Sequence, residues 1–214
     1  MDLLSESTLK FCEYYLNGHE YYNAISAIFF FVIGLYIFFK RKTRIDIYFS
    51  IIITLIGLFT IALHYSATIL GQILDFSSMY LITLWLITLN IESKFDFIKK
   101  HSLLFFIVIY LICVLVTFSP NFLLNIIVFG LTLVLSVLTL SLRVNVKDKK
   151  LELFLILGIL LVGFLFWLAD YFQIFCSEQL IFVNGHIIWH FAMATAYLFV
   201  WRFYRKILPT TQTI

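Results

Sequence analysis

The stretch Asn184-Gly185-His186-Ile187-Ile188-Trp189-His190 opens the last apolar segment of the chain and carries two histidines at positions i and i+4. On an α-helix these positions lie on the same face, about 6 Å apart, so both imidazoles can reach one metal ion. A polar pair inside a membrane helix is costly unless it has a partner or a function. The motif predicts a helix whose polar face points into a bundle, and its meaning depends on which other polar residues reach the same place.

The rest of the chain has the composition of an integral membrane protein. Of its 214 residues, 63% are hydrophobic and 13% are charged, and the mean hydropathy is +1.03. A soluble domain of this size needs a more polar surface. The first twenty residues are polar and aromatic and lack the basic start that is typical of a cleaved signal peptide. Because no polar domain of useful size is present, the composition excludes a nucleic-acid-binding protein.

Seven transmembrane helices are predicted from the apolar runs, since a spanning helix needs about 20 apolar residues. The continuous runs favour helices over barrel strands, which would alternate. The third run is short, and the fourth and fifth are separated only by a turn that contains proline. The fold class is therefore an all-α seven-helix membrane bundle. The predicted spans are Tyr22–Phe39, Ile47–Thr68, Ser78–Ile91, Ser102–Phe118, Phe122–Leu142, Leu151–Phe175 and His186–Tyr204.

The basic residues predict the orientation of these spans. Every lysine and arginine except Lys10 falls in the loops after spans one, three, five and seven, and such loops face the cytosol. This places the N-terminus outside and the C-terminus in the cytosol. Residues 1–214 are expected to form one membrane domain with an exoplasmic segment 1–21 and a cytosolic tail 205–214. The basic residues are Lys40, Arg41, Lys42, Arg44, Lys94, Lys99, Lys100, Arg143, Lys147, Lys149, Lys150, Arg202, Arg205 and Lys206.

With this topology, three histidines and three carboxylates lie at the same depth near the outer surface. Of these, His64, His186 and His190 suit Zn²⁺ with a fourth position left for water, which is the arrangement of catalytic zinc. Taken singly, each polar residue more often forms a hydrogen bond between helices. Their common depth favours a metal site, whereas His19 and His101 are expected to be loop residues. The residues at this depth are Glu20, His64, Asp75, Asp170, His186 and His190.

Four further residues have predicted roles around this site. Asp75 is the candidate general base, but it follows His64 by eleven residues, about 16 Å on an unbroken helix, so a turn near Gly71 is expected. The hydroxyl of Thr60 is placed to stabilise an oxyanion, or else it bonds to its own helix backbone. Asp170 or Glu20 is expected to orient a histidine ring.

The order Thr60-xxx-His64, ten residues, Asp75, and then Gly185-His186-xx-Trp189-His190 resembles the alkaline ceramidase family. That family belongs to a wider seven-span hydrolase superfamily that includes the adiponectin/progestin-type receptors. Further matching segments are Cys12-Glu13, Glu20-Tyr21-Tyr22-Asn23, Phe166-Trp167-x-x-Asp170 and Phe175-Cys176.

The resemblance implies zinc on the three histidines, Asp75 acting on the water, and a disulfide between Cys12 and Cys176. Thr60 stands where the family usually has serine. At the family's calcium site only Glu13 and Glu20 match, whereas Lys10 and Tyr15 stand where oxygen ligands would be expected. Calcium is therefore not expected.

These observations predict a zinc-dependent lipid amide hydrolase, with ceramide-like lipids implied by the resemblance. Its active site would lie near the non-cytosolic leaflet of a bacterial inner membrane or an ER or Golgi membrane, with membrane lipid as the partner and no protein partner required. Two alternatives remain open: a b-type haem electron carrier in which His64 faces His186 or His190, and a lipid-sensing receptor with structural zinc. The absence of charged residues at mid-depth argues against an ion-coupled transporter.

Overall fold

A computed structural model of the chain describes residues 2–119, 121–143, 150–174 and 176–208. Lys147, Lys149, Phe175 and residues 209–214 of the predicted tail lie outside the described residues. Within those ranges the elements are helical, which confirms the all-α prediction. The α-helices are α1 (Cys12–Asn17), α2 (Tyr21–Ser26), α3 (Ile28–Phe39), α4 (Arg44–Ser66), α5 (Ile69–Glu92), α6 (Asp96–Lys100), α7 (Ser102–Thr117), α8 (Phe122–Leu138), α9 (Lys150–Tyr171) and α10 (Gly185–Ile207), with 3₁₀ helices at Thr139–Leu142 and Glu178–Val183.

Five stretches in the described part of the chain are long and apolar enough to cross a membrane. They are Tyr21–Phe39, Arg44–Ser66, Ile69–Glu92, Leu123–Leu142 and Leu151–Tyr171. The apolar helix α7 is shorter, with 16 residues. Helix α10 has 23 residues, but its histidines and basic residues make it more polar than the other long helices.

The start predicted for the third span was wrong. Helix α5 begins at Ile69, nine residues before Ser78, and has 24 residues. The sequence of its first turns resembles a loop because it contains Gln72, Asp75 and Ser77, yet all three side chains are buried. The turn expected near Gly71 lies instead at Ala67, which adopts the left-handed conformation (φ 47°) between α4 and α5.

The structure divides into two units, and the first contains the described residues up to Gln72 and from Lys150 onward. Here α9 and α10 are antiparallel. A Cβ added to Gly163 would lie 2.7 Å from that of Ala192, and Lys206 near the end of α10 pairs with Glu152 near the start of α9. Helices α9 and α10 therefore pack against each other for most of their length.

The start of α4 is tied to the C-terminal half of α10. Thr43 and Asp46 form a capping box at the first turn of α4, which satisfies main-chain N–H groups that a helix start leaves without partners. The indole Nε1 of Trp201 donates to the same Asp46 carboxylate at 2.7 Å. Helices α4 and α10 therefore run in opposite directions, which brings the end of α4 to the start of α10.

The N-terminal segment of the first unit crosses the turn between α4 and α5. The main-chain N–H of Ser7 donates to Ala67 at 2.7 Å, and that of Ile69 donates to Ser5 at 3.0 Å. The Gln72 side chain accepts from the main chain of Leu9 at 3.2 Å. These bonds lead the segment over the end of α4 and into α1.

The second unit, of which the structure describes residues 73–119 and 121–143, pairs α5 with α8 in the same direction. The ring of Tyr80 lies 6.2 Å from that of Phe129. One turn further along both helices, Thr83 Oγ1 lies 3.4 Å from Thr132 Oγ1. Later still, Asn90 Nδ2 donates to the main-chain oxygen of Ser136 at 3.2 Å. These contacts show that α5 and α8 run in the same direction. The chain between the end of α5 and the start of α8, which contains α7, must therefore run back along the length of these helices.

Candidate metal centre

Three histidines from α4 and α10 converge in the first unit. His64 lies in the last turn of α4, and His186 and His190 lie in the first turns of α10. All three are buried, and their candidate ligand nitrogens lie within 4.8 Å of one another. The Nε2 atoms of His64 and His186 are 3.0 Å apart. The structure thus brings together the three imidazoles that the sequence predicted as metal ligands.

The start of α10 is determined by Asn184 and Gly185. The Asn184 side chain caps the helix by accepting from the main chain of Ile187 at 2.8 Å, as expected of asparagine at this position. A Cβ added to Gly185 would lie 2.3 Å from the main-chain oxygen of Phe166 and 3.0 Å from Cβ of Asp170. Only glycine allows α10 to begin this close to α9, and this contact sets the position of His186.

Two of the histidines have a partner at Nδ1. Nδ1 of His64 is hydrogen-bonded to a carboxylate oxygen of Glu20, whose other oxygen accepts from the main chain of Phe11 at 2.7 Å. Nδ1 of His190 lies 2.6 Å from Oγ of Ser26. A hydrogen bond at one ring nitrogen determines which nitrogen is left to bind a metal. In both rings this leaves Nε2 for the metal.

Ser26 and Phe11 are site residues that the sequence analysis missed. The Phe11 ring is fully buried, with its centroid 3.7 Å from that of His186, and it covers this histidine on the N-terminal side. The sequence held a weak signal that Ser26 belongs to a polar helix face, because it is a serine in a mostly apolar run, less than two helical turns after Glu20, but nothing in it indicated the pairing with His190. Phe11 is preceded by polar residues and carried no comparable signal.

Of the two carboxylates that were alternatives for orienting a histidine ring, Glu20 contacts one, and Asp170 makes other bonds. In the described part of the chain its hydrogen bonds go to the main-chain N–H groups of Cys12, at 3.4 Å, and of Gly185. It therefore holds the N-terminal segment and the start of α10, whereas Glu20 contacts the histidine ring. A disulfide joins Cys12 to Cys176 with a Cα–Cα distance of 5.4 Å, so the N-terminal segment is covalently tied to the connection between α9 and α10.

The donor set fits a zinc ion. Zn–N distances of about 2.0–2.1 Å in a tetrahedral site place ligand nitrogens about 3.4 Å apart, close to the 3.0 Å between His64 and His186. In His186, Nε2 is the nitrogen that faces His64, which makes it the candidate ligand atom of that ring, and Nδ1 is buried with no hydrogen-bond partner in the described residues.

The carboxylate of Glu13, which the resemblance placed at the family's calcium site, accepts hydrogen bonds from the start of α2. Its carboxylate oxygens accept from the main-chain N–H groups of Tyr22, at 2.7 Å, and Asn23, at 2.8 Å. Burial raises the pKa of the Glu13 carboxyl, and these two N–H donors act in the opposite direction. Nearby, the ammonium of Lys10 pairs with Glu6 at 2.9 Å. The carboxylate of Glu13 therefore anchors the start of α2.

Thr60 and Asp75 belong to different units. Thr60 is buried on α4, one turn before His64, whereas Asp75 is buried in the second turn of α5, in the second unit. Their catalytic roles stay predictions. The two remaining histidines are not part of the centre: His19 stacks on Tyr21 with centroids 4.0 Å apart, and His101 is exposed before α7.

The ceramidase family profile matches residues 4–212 of the chain. The chain belongs to the ceramidase family. Membership confirms the resemblance that the histidine and aspartate motifs indicated. It also indicates that the chain is a ceramidase-type hydrolase of lipid amides. No match was found among curated proteins. The described helices make this ceramidase-family chain a membrane protein by length and composition, and its three histidines form a candidate metal site.

Proposed function

We propose that this ceramidase-family protein is a zinc-dependent hydrolase that cleaves ceramide-like lipids to a sphingoid base and a fatty acid. The observation that carries the proposal is the convergence of three buried histidines, two of which have Nδ1 occupied by Glu20 and Ser26. Histidines that only joined helices would not need three ring nitrogens directed at one point. When bound, zinc would supply an activated water and polarise the scissile carbonyl.

Residues of the chain are assigned to metal binding, to ring orientation and to the steps of hydrolysis. His64, His186 and His190 bind the ion, and Glu20 and Ser26 keep two of these rings in the ligating orientation. Asp75 is the candidate general base that holds the proton released by the attacking water and delivers it to the leaving nitrogen. Thr60, one turn before His64, is the candidate donor to the developing oxyanion. Phe11 limits the access of bulk water to the histidine cluster.

The substrate is proposed to enter from the membrane. The metal centre lies at the ends of apolar helices, where the amide of a lipid is found near the headgroup boundary, and apolar helix surfaces suit long acyl chains. Seven spans with the N-terminus outside place this centre near the non-cytosolic leaflet. Two crossings are proposed in addition to the five long apolar stretches. Because α5 and α8 are parallel, α7 must cross between them. Because α9 and α10 are antiparallel, α10 crosses beside α9.

The haem alternative is disfavoured by the histidine geometry. A b-type haem needs the porphyrin ring between its two axial histidines. The 3.0 Å between Nε2 of His64 and Nε2 of His186 suits one small ion better than a porphyrin between these two rings, and a third histidine at the same point has no task in a haem site with two axial histidines. Absorbance of the purified protein tests this directly, because a Soret band would contradict the zinc proposal.

The deciding experiment combines metal analysis with ceramide turnover for the wild type and His190→Ala. We expect about one zinc per wild-type chain and hydrolysis of the lipid amide, with both lost in His190→Ala. His101→Ala, which changes an exposed histidine outside the cluster, is the matched control and should retain both. Zinc without turnover in the wild type would support a structural zinc, and normal zinc with normal turnover in His190→Ala would contradict the proposal.

A further inference from the structure

Ser26, the last residue of α2, contacts the metal centre through His190. Its Oγ lies 2.6 Å from Nδ1 of His190 and 2.7 Å from the main-chain oxygen of Asn23. A serine hydroxyl has a single proton, and a carbonyl oxygen can only accept a hydrogen bond. The hydroxyl therefore donates to Asn23, and its oxygen accepts the proton on Nδ1 of His190. The His190 ring also has a hydrogen bond to the main chain of Asn23, so Ser26 and the Asn23 carbonyl favour the same tautomer.

A neutral imidazole that carries its proton on Nδ1 has its lone pair on Nε2. We propose that Ser26 is a positioning residue of the metal centre, whose hydroxyl selects the Nδ1–H tautomer of His190 and makes Nε2 its ligand atom. The inference rests on the proposed function only in that the centre binds zinc. It assigns a role to a residue outside the predicted ligand and catalytic set.

The bond to His190 distinguishes Ser26 from an ordinary serine in a membrane helix. Such a serine satisfies its hydroxyl by bonding to a carbonyl of the preceding turn or of a neighbouring helix. Ser50 on α4 is an example, since it is equally buried and donates to the main-chain oxygen of Gly34 at 2.8 Å. Ser26 makes the same kind of bond to Asn23 and in addition accepts from a ring on α10.

Helix α2 thereby holds two ligands from its two ends. Glu20, which directly precedes its first residue, is hydrogen-bonded to Nδ1 of His64, and Ser26 at its end is hydrogen-bonded to Nδ1 of His190. Nδ1 of His186 has no such partner among the described residues, and its ring is held by packing against Phe11. Two of the three ligands thus depend on one helix of six residues.

Zinc affinity of the full-length protein in detergent tests the proposal, measured by competition with a chromophoric chelator. We expect Ser26→Ala to bind zinc about 10- to 100-fold more weakly, the usual effect of losing such a hydrogen bond to a ligand. Ser26→Thr keeps the hydroxyl and should restore most of the affinity. The matched control Ser50→Ala should bind zinc as the wild type does. Wild-type affinity in Ser26→Ala would overturn the proposal.

A second measurement needs no variant of Ser26 and is therefore independent of how that variant folds. In ¹⁵N-histidine NMR spectra of the zinc-loaded wild type, the His190 signals are expected to show a protonated Nδ1 and a zinc-bound Nε2. A zinc-bound Nδ1 would overturn the proposal. Wild type that binds zinc with this tautomer and yet hydrolyses no ceramide would contradict the proposed function while leaving the role of Ser26 intact.

Discussion

At the scale of residues, Asp75 is the proposed general base. If it is the general base, Asp75→Asn should retain zinc, because the amide leaves the three histidines unchanged, while turnover falls by about 100-fold or more. Thr88→Val, a substitution of another buried residue on α5, is the control for the helix and should keep its activity. Zinc content and kcat are measured on the same preparations. Loss of zinc in Asp75→Asn would indicate a structural role instead.

Gly185 sets the distance between α9 and the first ligand of α10. Gly185→Ala would place Cβ 2.3 Å from the main-chain oxygen of Phe166, which requires the start of α10 to move. We expect destabilisation of about 1–3 kcal/mol and weaker zinc binding, because His186 follows directly. Thermal unfolding with and without zinc is the measurement. Gly158→Ala on α9 is the matched control, since its Cβ would meet nothing within 4 Å, and an unchanged Tm in Gly185→Ala would contradict the expectation.

At the scale of residues, the histidine cluster could be predicted because its signal is local. Two of its members stand at i and i+4 on one helix, and the depth of the third follows from the apolar run that contains it. Ser26 and Phe11 could not be predicted in the same way. Each contacts a histidine more than 150 positions away, and neither spacing nor composition reports such a pairing. Phe11 also lies in an N-terminal segment whose composition is typical of an exposed tail.

At the scale of elements, the sequence predicted helices where apolar residues continue and failed where a helix begins with polar residues. The first turns of α5 contain Gln72 and Asp75, which lower the hydropathy of the run although both are buried. Gln72 is buried because it binds the N-terminal segment, accepting from Leu9 at 3.2 Å. The correct start of α5 therefore depends on a contact with a part of the chain about sixty positions earlier, which a local pattern does not contain.

The disulfide between Cys12 and Cys176 links the start of α1, next to Phe11, to the connection that leads into α10, with a separation of 164 residues. We expect the double variant Cys12→Ser/Cys176→Ser to lose about 2–5 kcal/mol of stability. It should also release zinc to a chelator faster, because Phe11 next to Cys12 packs on His186. Thermal unfolding and zinc release under non-reducing conditions are the measurements. Cys113→Ala, which changes the free cysteine, is the control, and wild-type behaviour of the double variant would refute a role for the bridge.

At the scale of the whole molecule, the number of crossings depends on α7, which is shorter than the five long apolar stretches, and on α10, which is more polar. The disulfide constrains this number. Cys12 and Cys176 can pair only on the same side of the membrane, so an even number of crossings must separate them. The long stretches between them number five, and the crossing of α7 makes the total even. With six crossings between the two cysteines, Cys176 would lie on the side opposite to the basic loops, as the positive-inside rule expects.

Labelling with a membrane-impermeant maleimide tests this count in a Cys113→Ala background that keeps the disulfide. Leu4→Cys, at an exposed position of the N-terminal segment, should react from outside intact cells, whereas Lys94→Cys should react only after permeabilisation. Ser141→Cys, exposed at the end of the apolar stretch that begins with α8, distinguishes the two topologies. If α7 crosses, Ser141→Cys behaves as Lys94→Cys does, and if α7 does not cross, it reacts from outside as Leu4→Cys does. External labelling of Ser141→Cys would contradict seven spans. It would also be incompatible with a bridge between Cys12 and Cys176, because one fewer crossing places these two cysteines on opposite sides of the membrane.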